Sequence, residues 1–153
     1  MMMTVVLAAL AAGTACDEDN PEEMVGTWRA YQATCQVTYS PSDGDEQTSE
    51  LTVTASDEYL GITWYLYSDG RMLIIETMGF DFEYDDEGCL TVVLDESVAT
   101  MESTTWSLSG DVFSIGDSHM TVTSQTSATL TVESYETDGD YTTYLEYTLY
   151  KTG

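Results

Sequence analysis

The chain has 153 residues, enough for one domain with a sizeable core and short for two. Its residues are 42% apolar and 11% aromatic, which excludes low-complexity disorder for the body. Only three basic residues, Arg29, Arg71 and Lys151, stand against 28 acidic ones, for a formal charge of −25. That balance excludes nucleic-acid binding, because displacing counterions from a phosphate backbone needs Lys and Arg. Anionic lipid surfaces would repel the folded domain for the same reason, and the charge reads as a solvated, aggregation-resistant surface.

Residues 1–15 read as a signal peptide. The apolar run "TVVLAALAA" over residues 4–12 is far shorter than the ~20 residues a membrane-spanning helix needs, and has the length of a signal h-region. Its n-region, "MMM", lacks Lys and Arg. "AGTAC" then ends on Cys16 and resembles the lipobox of bacterial lipoproteins, although Gly13 stands where the usual Leu would be. That resemblance implies a lipid-modified Cys16 at the mature N-terminus. "GTA" also fits an ordinary secretion site, which would leave Cys16 as a free terminal thiol.

Residues 16–23 form the anchor cysteine and an acidic linker, "DEDNPEE", too acidic and too short to fold alone. An acidic patch directly after the lipid cysteine resembles the surface-export signal of Bacteroidota lipoproteins. The location implied is an outer-membrane lipoprotein on the cell surface, meeting the membrane through its N-terminal lipid only.

The folded domain is expected over residues 24–153. Its two cysteines, Cys35 and Cys89, leave two readings open in an exported chain: a disulfide, or two buried small hydrophobes. From Trp28 onward the pattern has period two, and helical periodicity is nearly absent. Strands are predicted near 26–39, 50–55, 60–67, 71–77, 79–84, 89–95, 102–108, 111–115, 119–124, 128–135 and 141–151. On the last of these Tyr141, Thr143, Leu145, Tyr147 and Leu149 face one way, and Thr142, Tyr144, Glu146, Thr148 and Tyr150 the other. Turn signals at Ser42–Asp45, Ser68–Gly70, Glu87–Gly88, Ser109–Asp111 and Asp138–Asp140 mark hairpin tips. With two of these merging or falling at an edge, the fold class is all-β: an antiparallel up-and-down meander of eight to ten strands closed into a barrel, which hides sheet edges best. A two-sheet sandwich is the alternative.

"MVGTW" (Met24–Trp28) resembles the Gly-x-Trp opening of lipocalins. "YLYSDGRMLI", "WSLSGDVFSIG" and "MTVTSQTSATLTV" are similar to successive hairpins of the lipocalin-like domains on small Bacteroidota lipoproteins, and "YTLYK" to their C-terminal end. The resemblance spans about Met24 to Lys151. It implies a tight turn at Gly26 into the first strand and a barrel plugged by Trp28. It also implies a terminal cation lying across that Trp, and Lys151 is the terminal candidate. Such a contact contributes roughly 0.5–2 kcal/mol. Arg29 competes for the role, although an immediate neighbour points to the opposite face of a strand.

Chemistry is sparse. His119, the single histidine, falls on the outward side of "HMTVTS", and no nucleophile or orienting acid accompanies it in the sequence. Asp85, Asp86 and Glu87 share one turn and are a weak calcium candidate without EF-hand spacing. The barrel interior remains, with Trp64, Phe80, Phe82, Trp106, Tyr141 and Tyr147 on predicted inward faces. A filled core and an aromatic-lined pocket both fit those six. The expected function is a non-catalytic envelope lipoprotein that binds a small apolar or amphipathic ligand inside the barrel and needs no cofactor. A filled barrel serving as a surface interaction or accessory module is the alternative. An enzyme would need polar groups converging inside the barrel.

Overall fold

The computed structural model describes residues 21–55 and 59–152. The predicted signal peptide, Cys16 and the acidic residues 17–20 lie outside the described residues. One helical turn, α1 (Pro21–Met24), precedes eleven strands. These are β1 (Gly26–Tyr39), β2 (Gln47–Thr54), β3 (Ile62–Leu66), β4 (Arg71–Glu76), β5 (Gly79–Tyr84) and β6 (Leu90–Asp95). Then come β7 (Thr100–Ser109), β8 (Val112–Ile115), β9 (Ser118–Gln125), β10 (Thr129–Asp138) and β11 (Tyr141–Lys151).

Eight strands close into an antiparallel barrel in the order β1-β3-β4-β7-β8-β9-β10-β11. The ring shuts where β11 returns along the whole of β1, from Lys151 opposite Trp28 to Tyr141 opposite Tyr39. That pairing makes a barrel rather than a two-sheet sandwich, because no free edge remains at which the ring could divide into two sheets. Threonine ladders on the outer face, such as Thr34 with Thr52 (2.9 Å), satisfy side-chain hydroxyls where strands pair.

Two departures from a plain meander shape the molecule. The lower part of β1, Gly26–Arg29, pairs with β3, whereas Gln32–Tyr39 pair with β2 on the same edge. The β5–β6 hairpin leaves the ring and forms its own two-stranded sheet, so that β4 pairs directly with β7. The hairpin packs on β1 and β2: the Gln47 and Ser49 side chains accept the backbone N–H groups of Leu90 (2.9 Å) and Val92 (3.0 Å). Cys35, Val37, Leu90 and Val92 form a second core there, with the Phe82 and Tyr141 rings tilted against each other, centroids 4.9 Å apart.

A bulge in β1 re-phases its alternation. Gln32 opposes Thr148 and Ala30 opposes Leu149, which leaves Tyr31 as the extra residue. Trp28 and Ala30 are buried before it, and Ala33, Cys35 and Val37 after it. Tyr31 instead stacks on Tyr150, centroids 4.2 Å apart.

The lower end of the barrel is filled by fully buried Met24, Trp28, Leu66, Phe113, Leu130 and Leu149. Residues 21–23, read from sequence as linker, form the helical turn α1 that carries Met24 into this plug. Proline suits the first turn of a helix, and the carbonyls freed at the end of so short a turn find side-chain donors. Trp28 Nε1 donates to the Met24 carbonyl at 2.8 Å, and Lys151 Nζ donates to that of Glu23 at 2.9 Å. Lys151 Nζ also lies 5.6 Å from the Trp28 ring centroid, the placement the lipocalin resemblance implies. Arg29 points outward and is exposed. Gly26 adopts φ 140°, a conformation side-chain-bearing residues rarely take, where the chain enters β1.

Candidate functional site: the barrel mouth

At the end opposite Trp28 the short strands β3, β4 and β8 stop while β10 and β11 continue, and a cavity of about 620 Å³ opens there. Its floor and walls are Trp64 from β3, Ile74 from β4, Ile115 from β8, Met120 from β9, and Leu145 and Tyr147 from β11. Trp64 and Tyr147 meet edge to face, 6.1 Å between centroids. The volume falls within the few-hundred-to-thousand Å³ range of small-molecule sites, whose walls are mostly apolar with a few polar groups. The barrel is therefore half filled and half open.

The polar groups are acidic. Glu76 follows Met72 and Ile74 in the inward phase of β4, and Glu102 stands opposite Ile74 on β7, so both carboxylates line the cavity from neighbouring strands. Burial pushes the Glu76 carboxyl above the ordinary carboxylate range; a hydrogen bond from Thr100 opposes this and the Glu102 charge adds to it. Burial likewise raises the Tyr147 phenol well above its usual value, reinforced by Glu76 and Cys35. Asp117 and Glu136 stand at the rim.

The six aromatic residues predicted for the interior part company. Trp64 and Tyr147 line the cavity. Trp106 faces inward lower down against Phe113 (6.3 Å), and its Nε1 donates to the Tyr67 carbonyl at 2.9 Å, so it serves the core. Phe82 and Tyr141 belong to the second core beneath the hairpin, and Phe80 bridges the two cores. Phe80 and Phe82 miss the cavity because β5 leaves the ring, which alternation within β5 does not reveal, and Tyr141, at the upper end of β11, packs against Phe82 of that hairpin. Sequence reading passed over Glu76 and Glu102. The parity of Glu76 with Met72 and Ile74 in "RMLIIE" was a usable signal, but the position of Glu102 depends on the β4–β7 register.

The other candidates resolve locally. His119 faces outward, its Nδ1 within 2.9 Å of Ser114 Oγ. Asp85 Oδ1 accepts the backbone N–H groups of Glu87 and Cys89, both at 2.9 Å, and so caps the β5–β6 turn. Asp85, Asp86 and Glu87 do not assemble a cation site, and no cluster of three or more metal-ligating side chains occurs among the described residues. Cys35 and Cys89 are not bonded to each other: Cys35 is buried in the second core, while Cys89 is exposed at the hairpin turn.

Burial pushes the Cys35 thiol up to about 11, so it holds little thiolate at pH 8. In a Cys16→Ser background, a native-state thiol titration at pH 8 is expected to count one fast thiol, Cys89, and a second only after unfolding. Two fast thiols, or none before reduction, would contradict this arrangement.

The sequence matches no protein-family model, and no curated protein is significantly similar to it.

Proposed function

We propose that the chain is a non-catalytic cell-envelope lipoprotein with a lipocalin-like barrel, which holds a small apolar or amphipathic ligand in the barrel mouth. The observation that carries the ligand reading is the cavity of about 620 Å³ floored by Trp64 and Tyr147. A barrel that served only as a scaffold would gain stability by filling that space, since each unfilled methylene forfeits burial and dispersion energy. The filled lower half supplies rigidity to the open upper half. The envelope reading rests on the leader and Cys16, and on the resemblance of "MVGTW" and the following hairpins to lipocalin-like lipoproteins.

The second reading, an interaction module, draws on the outer face, where Met101 and Tyr135 are each 71% exposed. Native mass spectrometry of the full-length protein separates the two. After incubation with mixed fatty acids, alcohols and amines, a stoichiometric adduct lost on denaturation is expected. Ser134→Trp, which places a ring in the void from β10, is expected to abolish it. An unchanged bare mass under every mixture would move the function to the outer face.

A further inference from the structure

We infer, resting on the ligand-binding reading above, that the cavity selects an organic cation: an amphipathic amine with its ammonium between Glu76 and Glu102 and its apolar body on Trp64, Ile115 and Tyr147. The cavity itself sets the shape of this ligand, with aromatic walls below and carboxylates above. Its charge follows from what the protein leaves uncompensated. Glu76 and Glu102 occupy inward positions that strand alternation ordinarily gives to apolar residues, and two like charges facing one void destabilise each other.

No Lys or Arg of the chain is placed to neutralise them. The chain carries only three, and each is engaged or turned away. Arg29 lies on the outer face of β1. Arg71 pairs with Asp69 at 2.7 Å. Lys151 is held at the opposite end of the barrel by the Glu23 carbonyl and the Trp28 ring. A ligand ammonium can therefore take the place of a missing Lys or Arg, and an anion entering the same void would meet four carboxylates, with His119 the one basic side chain at its rim. The walls suit a cation as well. Trp64 and Tyr147 carry electron-rich ring faces.

Isothermal titration of the full-length protein at physiological salt, with decylamine, decanol and decanoate as matched probes, tests this. Decylamine is expected to bind about 10- to 100-fold more tightly than decanol, the worth of a charge-assisted pair, with decanoate weakest. Glu76→Gln/Glu102→Gln is expected to erase the amine's advantage while leaving decanol affinity in place. Glu50→Gln, which removes an exposed charge on β2, is expected to keep that advantage, separating a local pair from the general negative field.

Acidification supplies an independent reading. Glu102, Asp117, Glu136 and Tyr147 line the cavity with Glu76, and His119 and Tyr135 reach its rim from the outer face. Burial raises the Glu76 carboxyl, so it takes up a proton as pH falls through a range above that of an ordinary carboxylate. Amine affinity should therefore decline from above the ordinary carboxylate range downward, while decanol affinity stays flat.

Equal binding of the three probes, or tightest binding of decanoate, would overturn the cation assignment and leave the carrier reading standing. Binding of none would overturn both. Tight calcium binding that needs both glutamates would replace the organic cation with an inorganic one.

Discussion

Replacing Trp28 by alanine is expected to cost about 3–5 kcal/mol of unfolding free energy, a large share of what holds a domain of this size together. The ring is fully buried, and it is the largest side chain in the lower core. It also ties three chain segments to one point. Its Nε1 satisfies the Met24 carbonyl at the end of α1, its strand pairs with both β3 and β11, and its face receives Lys151. Alanine leaves a void that rigid neighbouring strands close only in part, together with an orphaned carbonyl.

Urea denaturation measures this as a fall in midpoint at constant slope. Trp28→Phe separates the contributions, because it keeps most of the buried area and loses the N–H donor; its expected cost is about 1–3 kcal/mol. Lys151→Met is expected to cost roughly 0.5–2 kcal/mol in the parent and much less in the Trp28→Ala background, since the cation then has no ring to lie across. A Trp28→Ala protein as stable as the parent would show that the lower end is not plugged by this residue.

Phe113→Ala is expected to cost a similar 3–5 kcal/mol, with a second consequence at the mouth. Phe113 is fully buried on the four-residue strand β8, between Trp64 (5.7 Å) and Trp106 (6.3 Å). So short a strand has few ladder bonds of its own, and side-chain packing carries its attachment to β7 and β9. Trp64 is the boundary between core and cavity: its lower side meets Phe113 and its upper side lines the void. Removing Phe113 lets water and the Trp64 ring into the space beneath, which deepens the pocket. Tryptophan emission from the folded variant is expected to shift to longer wavelength. Loss of stability without any spectral shift would mean that Trp64 stays rigid without this support.

How much of this was legible beforehand differs from element to element. The alternation along β11 identified its inward residues correctly down to Leu149, because each side chain in an unbroken strand faces opposite to its neighbour. The turn glycines were equally plain: Gly70, Gly110 and Gly139 all have positive φ at hairpin tips, where other residues would be strained. In β1 the same rule fails midway. Nothing in "TWRAYQATCQV" marks Tyr31 as the extra residue of a bulge, since the bulge exists only opposite Thr148 and Leu149. The β5 aromatics show another limit. Phe80 and Phe82 do turn away from solvent, yet they pack in and beside the second core beneath the hairpin rather than in the barrel void.

The sequence by itself determined the class of the fold, the approximate positions of the strands and, in unbroken strands, the side that is apolar. Those features depend on period-two patterning and turn residues, which act over a few positions of chain. Closure of the ring, the departure of β2 and of the β5–β6 hairpin, and the half-open interior were decided by tertiary structure alone. Each depends on register between strands far apart in sequence, and identical alternation serves a strand inside the ring or beside it. The cavity follows from differences in strand length around the ring, and its two carboxylates meet only because β4 skips the hairpin to pair with β7.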